Sequence, residues 1–158
     1  MPRRYWLFKS EPLSFSIDDL KNSKDETASW DGVRNYQARN YLRDSIKMGD
    51  GVLFYHSSSS EIGIVGEAVV VREGYPDPSA FDPTDRHYDS KSSADLPIWF
   101  TLDIKLVRKS EKIIPLNKLR SIRSLTDMKL LQRGMRLSVQ PVTSKEWTTI
   151  MKLAEWTK

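Results

Sequence analysis

The chain has 158 residues, 39% hydrophobic and 29% charged, the composition of a globular domain able to bury a core. It has no cysteine and only two histidines, His56 and His87, which excludes disulfides, thiolate zinc sites and multi-histidine metal centres. The net charge of +4 is unevenly spread: residues 105–136 hold ten of the 25 Lys/Arg but only two of the 21 acids, Glu111 and Asp127.

Taken in order, the amino terminus MPRRYWLFKSEP lacks the apolar stretch of a secretion signal and reads as mature structure. No apolar run approaches the roughly 20 residues of a membrane helix. With the absence of cysteine, this points to a cytoplasmic compartment, or a nuclear one in a eukaryotic cell. Residues 5–9 (YWLFK) are short and aromatic, as a first strand is. Ser16 and Asp19 have capping-box spacing and start a short helix through Leu20. Residues 22–27 read as a polar loop.

The segment 30–43, WDGVRNYQARNYLR, sets large polar side chains beside a tryptophan. Gly32 suggests a tight turn or close backbone approach, and Asn35 an N-cap. A helix is expected over 36–47, with Gly49 ending it. Strands are expected at 52–56 (VLFYH) and 62–72, with Gly63 and Gly66 marking bulges or close contacts. Residues 74–97, with four prolines and little periodicity, read as a long functional loop. Residues 98–107 alternate apolar and polar positions, the signature of a half-buried strand. Short helices are expected at 116–120 and 126–133, and a strand at 136–140, ended by Pro141. A capping box at Thr143 and Glu146 opens the last amphipathic helix. Strands broken by short helices indicate an α+β fold around a mostly antiparallel curved sheet or small barrel, in one domain over 1–158.

The sequence has no P-loop, dinucleotide fingerprint, HExxH or GxSxG, so no catalytic site is assigned and no cofactor is expected. Four segments instead place polar groups at strand ends or loop–helix junctions. They are Lys9 and Ser10; Trp30, Asp31, Val33, Arg34, Asn35 and Gln37; Tyr55, His56 and Ser57; and Ser138, Gln140 and Pro141, with Arg136 just ahead. The expectation is a ligand pocket. In it Trp30 stacks on a planar base, and Ser10, Asn35, Gln37 and Gln140 read its polar edges. Lys9, Arg34 and Arg136 meet phosphate or carbonyl oxygens, and Tyr55 and Pro141 form apolar walls. The basic stretch, through Lys118, Arg120 and Arg123, would contact a nucleic-acid backbone. Two alternatives stand beside this: an enzyme acting on a nucleotide or RNA base through His56, Asp31 or Glu11, and a peptide-binding module.

The segments YWLFKSEP, SIDDL, WDGVRNYQARNYLR, GDGVLFYHSS, GIVGEAVVV, YPDPSAFDP, HYDSKS, PIWFTLDI and RLSVQPVT together resemble the EVE domain family, in order over about residues 5–153. The resemblance implies a PUA-like fold, a small β-barrel flanked by short helices and related to YTH and ASCH domains. It also implies a pocket for a flipped, modified base, such as 5-methylcytosine in DNA, or a base in RNA. Those pocket motifs fall on the four segments above. In the stretch behind the family's name only Glu67 remains, within GEAVVV.

Overall fold

The computed structural model describes residues 2–156. Six strands form one sheet: β1 Tyr5–Ser10, β2 Thr27–Ser29, β3 Gly51–His56, β4 Gly63–Pro76, β5 Phe100–Pro115 and β6 Val139–Val142, in the spatial order β2-β5-β4-β3-β1-β6. Only β1 and β3 pair in parallel; every other neighbour is antiparallel. The sheet is open, which corrects the expected barrel. Its edges are the three-residue β2 and the four-residue β6, which do not pair with each other. Short edge strands of this kind also limit unwanted edge-to-edge pairing.

Helices cover both faces. On one, α1 (Ile17–Lys21) and α2 (Tyr36–Asn40, continued by a π-turn over Tyr41–Ser45) bury Ile17, Leu20, Ala38 and Leu42 against Trp6, Phe8, Phe54 and Leu102. On the other, α3 (Leu116–Arg120), two 3-10 turns and α4 (Ser144–Leu153) bury Leu119, Leu125, Trp147 and Ile150 against Leu7, Leu53, Tyr55 and Ile64. The central strands therefore read as continuous apolar runs, because neither of their faces meets water. No helix among the described residues is long and apolar enough to cross a membrane.

Local chemistry sets the element ends. Ser16 with Asp19 and Thr143 with Glu146 form complete capping boxes, and Asn35 Oδ1 accepts the Ala38 N–H at 3.0 Å. Gly63 is required: a Cβ there would lie 2.1 Å from the Ile114 carbonyl oxygen. Asp50, buried between β1 and the 47–50 turn, accepts Trp6 Nε1, Lys47 N and Arg4 N at 2.9–3.1 Å.

Residues 77–99 are ordered without strand or α-helix. Asp77, Asp82, Asp85 and Asp89 each accept the backbone N–H two residues on, forming four Asx turns. Trp99 Nε1 then donates to Asp89 at 2.7 Å, and Asp77 N donates to the Trp99 carbonyl at 2.9 Å.

Candidate functional site

The β1–β2 end of the fold holds a cavity of about 650 Å³, within the range of small-molecule sites. Its walls come from the end of β1 and the turn after it, from β2, from the loop Trp30–Arg34, from Arg86 and His87, and from Ser138. Phe15, Ala28, Trp30 and Val33 supply its apolar surface. Trp30 is only 8% exposed and packs against Phe8 at 5.2 Å, Phe54 at 5.3 Å and Phe15 at 6.2 Å, so most of the indole is core.

The loop holding Trp30 is fastened to the 77–89 segment. Gly32 has φ +79°, and a Cβ there would lie within 2.9 Å of three His87 ring atoms, so only glycine lets the imidazole lie against the backbone. Gly32 N donates to Asp77 at 2.8 Å. The Arg34 guanidinium uses all five of its N–H groups inside the protein: two on the His87 carbonyl and one each on Val33 O, Asp77 Oδ2 and Ser79 Oγ, at 2.6–3.1 Å. It also lies 5.3 Å from the Trp99 ring centre. Arg34 thus forms part of the wall, with no donor left for a ligand. Burial pushes the Asp77 carboxyl up, but hydrogen bonds from Ser79, Gly32 and Arg34 outweigh it and hold it below its ordinary value.

The cavity brings together Lys9, Ser10, Trp30, Asp31, Val33, Arg34 and Ser138 of the residues singled out in sequence. Lys9 has its amine pKa pulled down by burial and lies 6.0 Å from the Tyr55 ring centre. Asp31 is an exposed residue at the rim of the cavity; partial burial pushes its carboxyl up, then Asp77 does, with His87 opposing.

The other candidates lie off the cavity walls. Asn35 caps α2, and exposed Gln37 reaches the Tyr41 hydroxyl at 3.5 Å. Tyr55 and Gln140 sit on the opposite face of the sheet: Tyr55 belongs to the α3/α4 core, and Gln140 is opposite Leu7 in the strand register. Gln140 is 1% exposed and donates to the Leu137 carbonyl at 2.8 Å. Pro141 is paired with Trp6 and lines a separate cavity of about 220 Å³. Ser57 donates its backbone N–H to Ser10 O at 2.9 Å, and Arg136 is exposed beyond the lining. Glu11, named in sequence only for the enzyme alternative, also lines the cavity, and the lining adds Ser14, Phe15, Ala28, Ser29, Gly32, Arg86 and His87. Of these, Ala28 and Ser29 arrive through β2, which the sequence did not reveal; the SEPLSF run after β1 was the readable signal for Ser14 and Phe15.

His56 has a structural task. Its Nε2 accepts the Ile17 N–H at 3.1 Å, which requires that nitrogen to be unprotonated. Burial, aided by Lys109 and opposed by Asp18 and Asp19, lowers its pKa. The stability from this contact is complete above about pH 6.5 and is lost as pH falls through the lower folded value. Wild type is therefore expected to lose about 2–4 °C more in Tm between pH 7 and 5 than His56→Gln, one hydrogen bond's worth. Melting curves at the two pH values check this.

The EVE domain profile matches residues 4–153. The chain belongs to the EVE domain family. It is 44% identical to mouse thymocyte nuclear protein 1 over 168 aligned positions, spanning 96% of this chain and 74% of that protein. A Pseudomonas syringae protein structure superposes with a TM-score of 0.89 at 46% identity, covering 94% of this EVE chain and 98% of the other. The structure of human THYN1 in complex with 5-methylcytosine-containing DNA matches with a TM-score of 0.89 at 41% identity, over 95% and 96% of the two chains.

Proposed function

We propose that this chain is a non-catalytic nucleic-acid-binding module that holds a base, with modified cytosine as the leading class, in the cavity beside Trp30. The observation that carries the reading is the likeness over nearly the whole chain to the human protein solved with 5-methylcytosine DNA. The cavity's chemistry supports it. An apolar surface of Phe15, Trp30 and Val33 suits a ring face, and Ser10, Ser29, Asp31 and Ser138 offer polar groups to its edges. Lys9 and Arg86 are the cavity's cations whose charge is not tied up in an ion pair among the described residues, and they suit the flanking phosphates. The module is taken to be one domain over 1–158, acting in the nucleus of a eukaryotic cell or the cytoplasm of a bacterial one.

The basic helix leaves the sheet at the same end as the cavity. Pro115, which precedes α3, pairs with Gly63; Gly63 pairs with His56, and His56 with Ser10. Lys118, Arg120 and Arg123 are exposed there, with no ion pair among the described residues. Anisotropy titrations of labelled single-stranded oligonucleotides with cytosine, 5-methylcytosine or 5-hydroxymethylcytosine test the proposal. Wild type is expected to prefer at least one modified base, and equal weak binding to all three removes the base-site reading. Changing Lys118, Arg120 and Arg123 together to alanine is expected to weaken binding to every strand alike. It should lower the slope of log affinity against log salt by about 2–3.

A further inference from the structure

Three carboxyl groups gather where the Trp30–Arg34 loop meets residues 77–87, and two of them are occupied. Asp77 receives Gly32 N, Ser79 N, Ser79 Oγ and Arg34 Nη1. Asp85 receives the His87 backbone N–H at 2.8 Å, and the His87 ring Nδ1 lies 3.2 Å from the same oxygen. Asp31 lines the cavity and receives no hydrogen bond from any other described residue. Asp77 and, more weakly, Asp85 repel it, with His87 opposing them. A carboxylate so placed repels phosphate and carbonyl oxygens and accepts from N–H donors.

Among bases that fit one pocket, this separates two classes. Cytosine presents an exocyclic amine as donor, whereas thymine and uracil put a carbonyl acceptor at the same corner. We infer that Asp31 is the specificity-determining residue of the cavity, accepting a hydrogen bond from the exocyclic amine of a cytosine-type base and rejecting its oxo counterpart. This rests on the reading of the cavity as a base site. Glu11, the cavity's other carboxylate without a side-chain partner, belongs to the turn after β1, where no second acid lines the cavity.

The discriminating pair of ligands is 5-methylcytosine and thymine, which share the 5-methyl group and differ in the amine and in the N3 proton. Two labelled single strands, identical except for that central base, are titrated against wild type, Asp31→Asn and Glu11→Gln. Wild type is expected to bind the 5-methylcytosine strand about tenfold more tightly or better, the value of a hydrogen bond to a charged group. Asp31→Asn presents a donor as well as an acceptor, and is expected to bring the two affinities within about twofold. Asp31→Ser gives the same answer should the amide disturb the loop. A preference that survives in both Asp31 variants, or is lost instead in Glu11→Gln, overturns the inference. Equal tight binding of both strands by wild type overturns it too, while leaving the base site in place. Failure of wild type to bind either strand overturns both.

Discussion

Replacing Asp77 with alanine is expected to destabilise the protein by about 3 kcal/mol, lowering Tm by about 6–12 °C. The carboxylate is 0% exposed, and it is where two otherwise separate segments meet. It holds the Gly32 N–H, two donors of Ser79 and one arm of Arg34. Removing it leaves a guanidinium without its counter-ion and several donors without an acceptor, and each unsatisfied group adds its own desolvation penalty. The loss extends to the cavity, because Gly32 and Arg34 line it. Asp77→Asn keeps one acceptor oxygen and is expected to lose less. The pH dependence separates charge from shape. A carboxyl held below its ordinary value of about 3.9 contributes stability that is complete above that pH and is lost as pH falls through the folded value. Wild type therefore loses this increment on acidification, whereas Asp77→Asn never has it. Urea unfolding of the three proteins at pH 7 and pH 3 measures both effects.

The parts of the fold that were legible in sequence are those decided by neighbours in the chain. Both capping boxes and the Asn35 cap form as read, since each needs only residues three apart. β1 and β3 differ from expectation by one residue at an end, and Gly32 and Gly63 sit at close approaches, because apolar runs and glycines signal strongly. The misses are decided by partners far away. β2, not expected from the sequence, exists because Thr27–Ser29 find Asp103–Lys105 in β5. β5 runs eight residues beyond the alternating stretch, through charged positions that still pair with β4. The helix expected at 126–133 is instead short 3-10 turns at Arg123–Leu125 and Lys129–Leu131. Pro141 was taken to end a strand but lies inside β6, an edge strand, where a missing N–H is tolerated.

The cavity was legible by the same rule. Lys9, Ser10 and the Trp30–Arg34 loop sit at strand ends and line it. Tyr55 and Gln140 carry equally suggestive side chains, but strand parity sends them to the other face. His87 lies in the long loop expected over 74–97, and the Asx turn at Asp85 and the bare backbone of Gly32 draw it into the wall. Lys9 shares Tyr55's parity as its register partner and still lines the cavity, because it stands near the very end of β1, so closeness to a strand end counts alongside parity.

Trp30→Ala is expected to remove base binding and, with it, about 3–5 kcal/mol of stability, a fall in Tm of about 6–20 °C. The indole sits among Phe8, Phe15 and Phe54, and at 8% exposure its loss leaves a hole in the core. Loss of binding in this variant would therefore not by itself assign a ligand contact to Trp30. Trp30→Phe separates the two roles. A phenyl ring fills most of the core volume, so Tm is expected to fall by less than about half as much as in the alanine variant. The smaller ring withdraws surface from the cavity, and affinity for the preferred oligonucleotide is expected to drop about three- to tenfold, part of the 1–3 kcal/mol a stacked base commonly contributes. Titration and melting of the same samples give both numbers. Trp30→Phe with unchanged affinity assigns the residue to the core alone and moves any stacking onto Phe15, the half-buried aromatic beside it. Weakened binding at near-normal Tm assigns the cavity-facing part of the indole to the ligand.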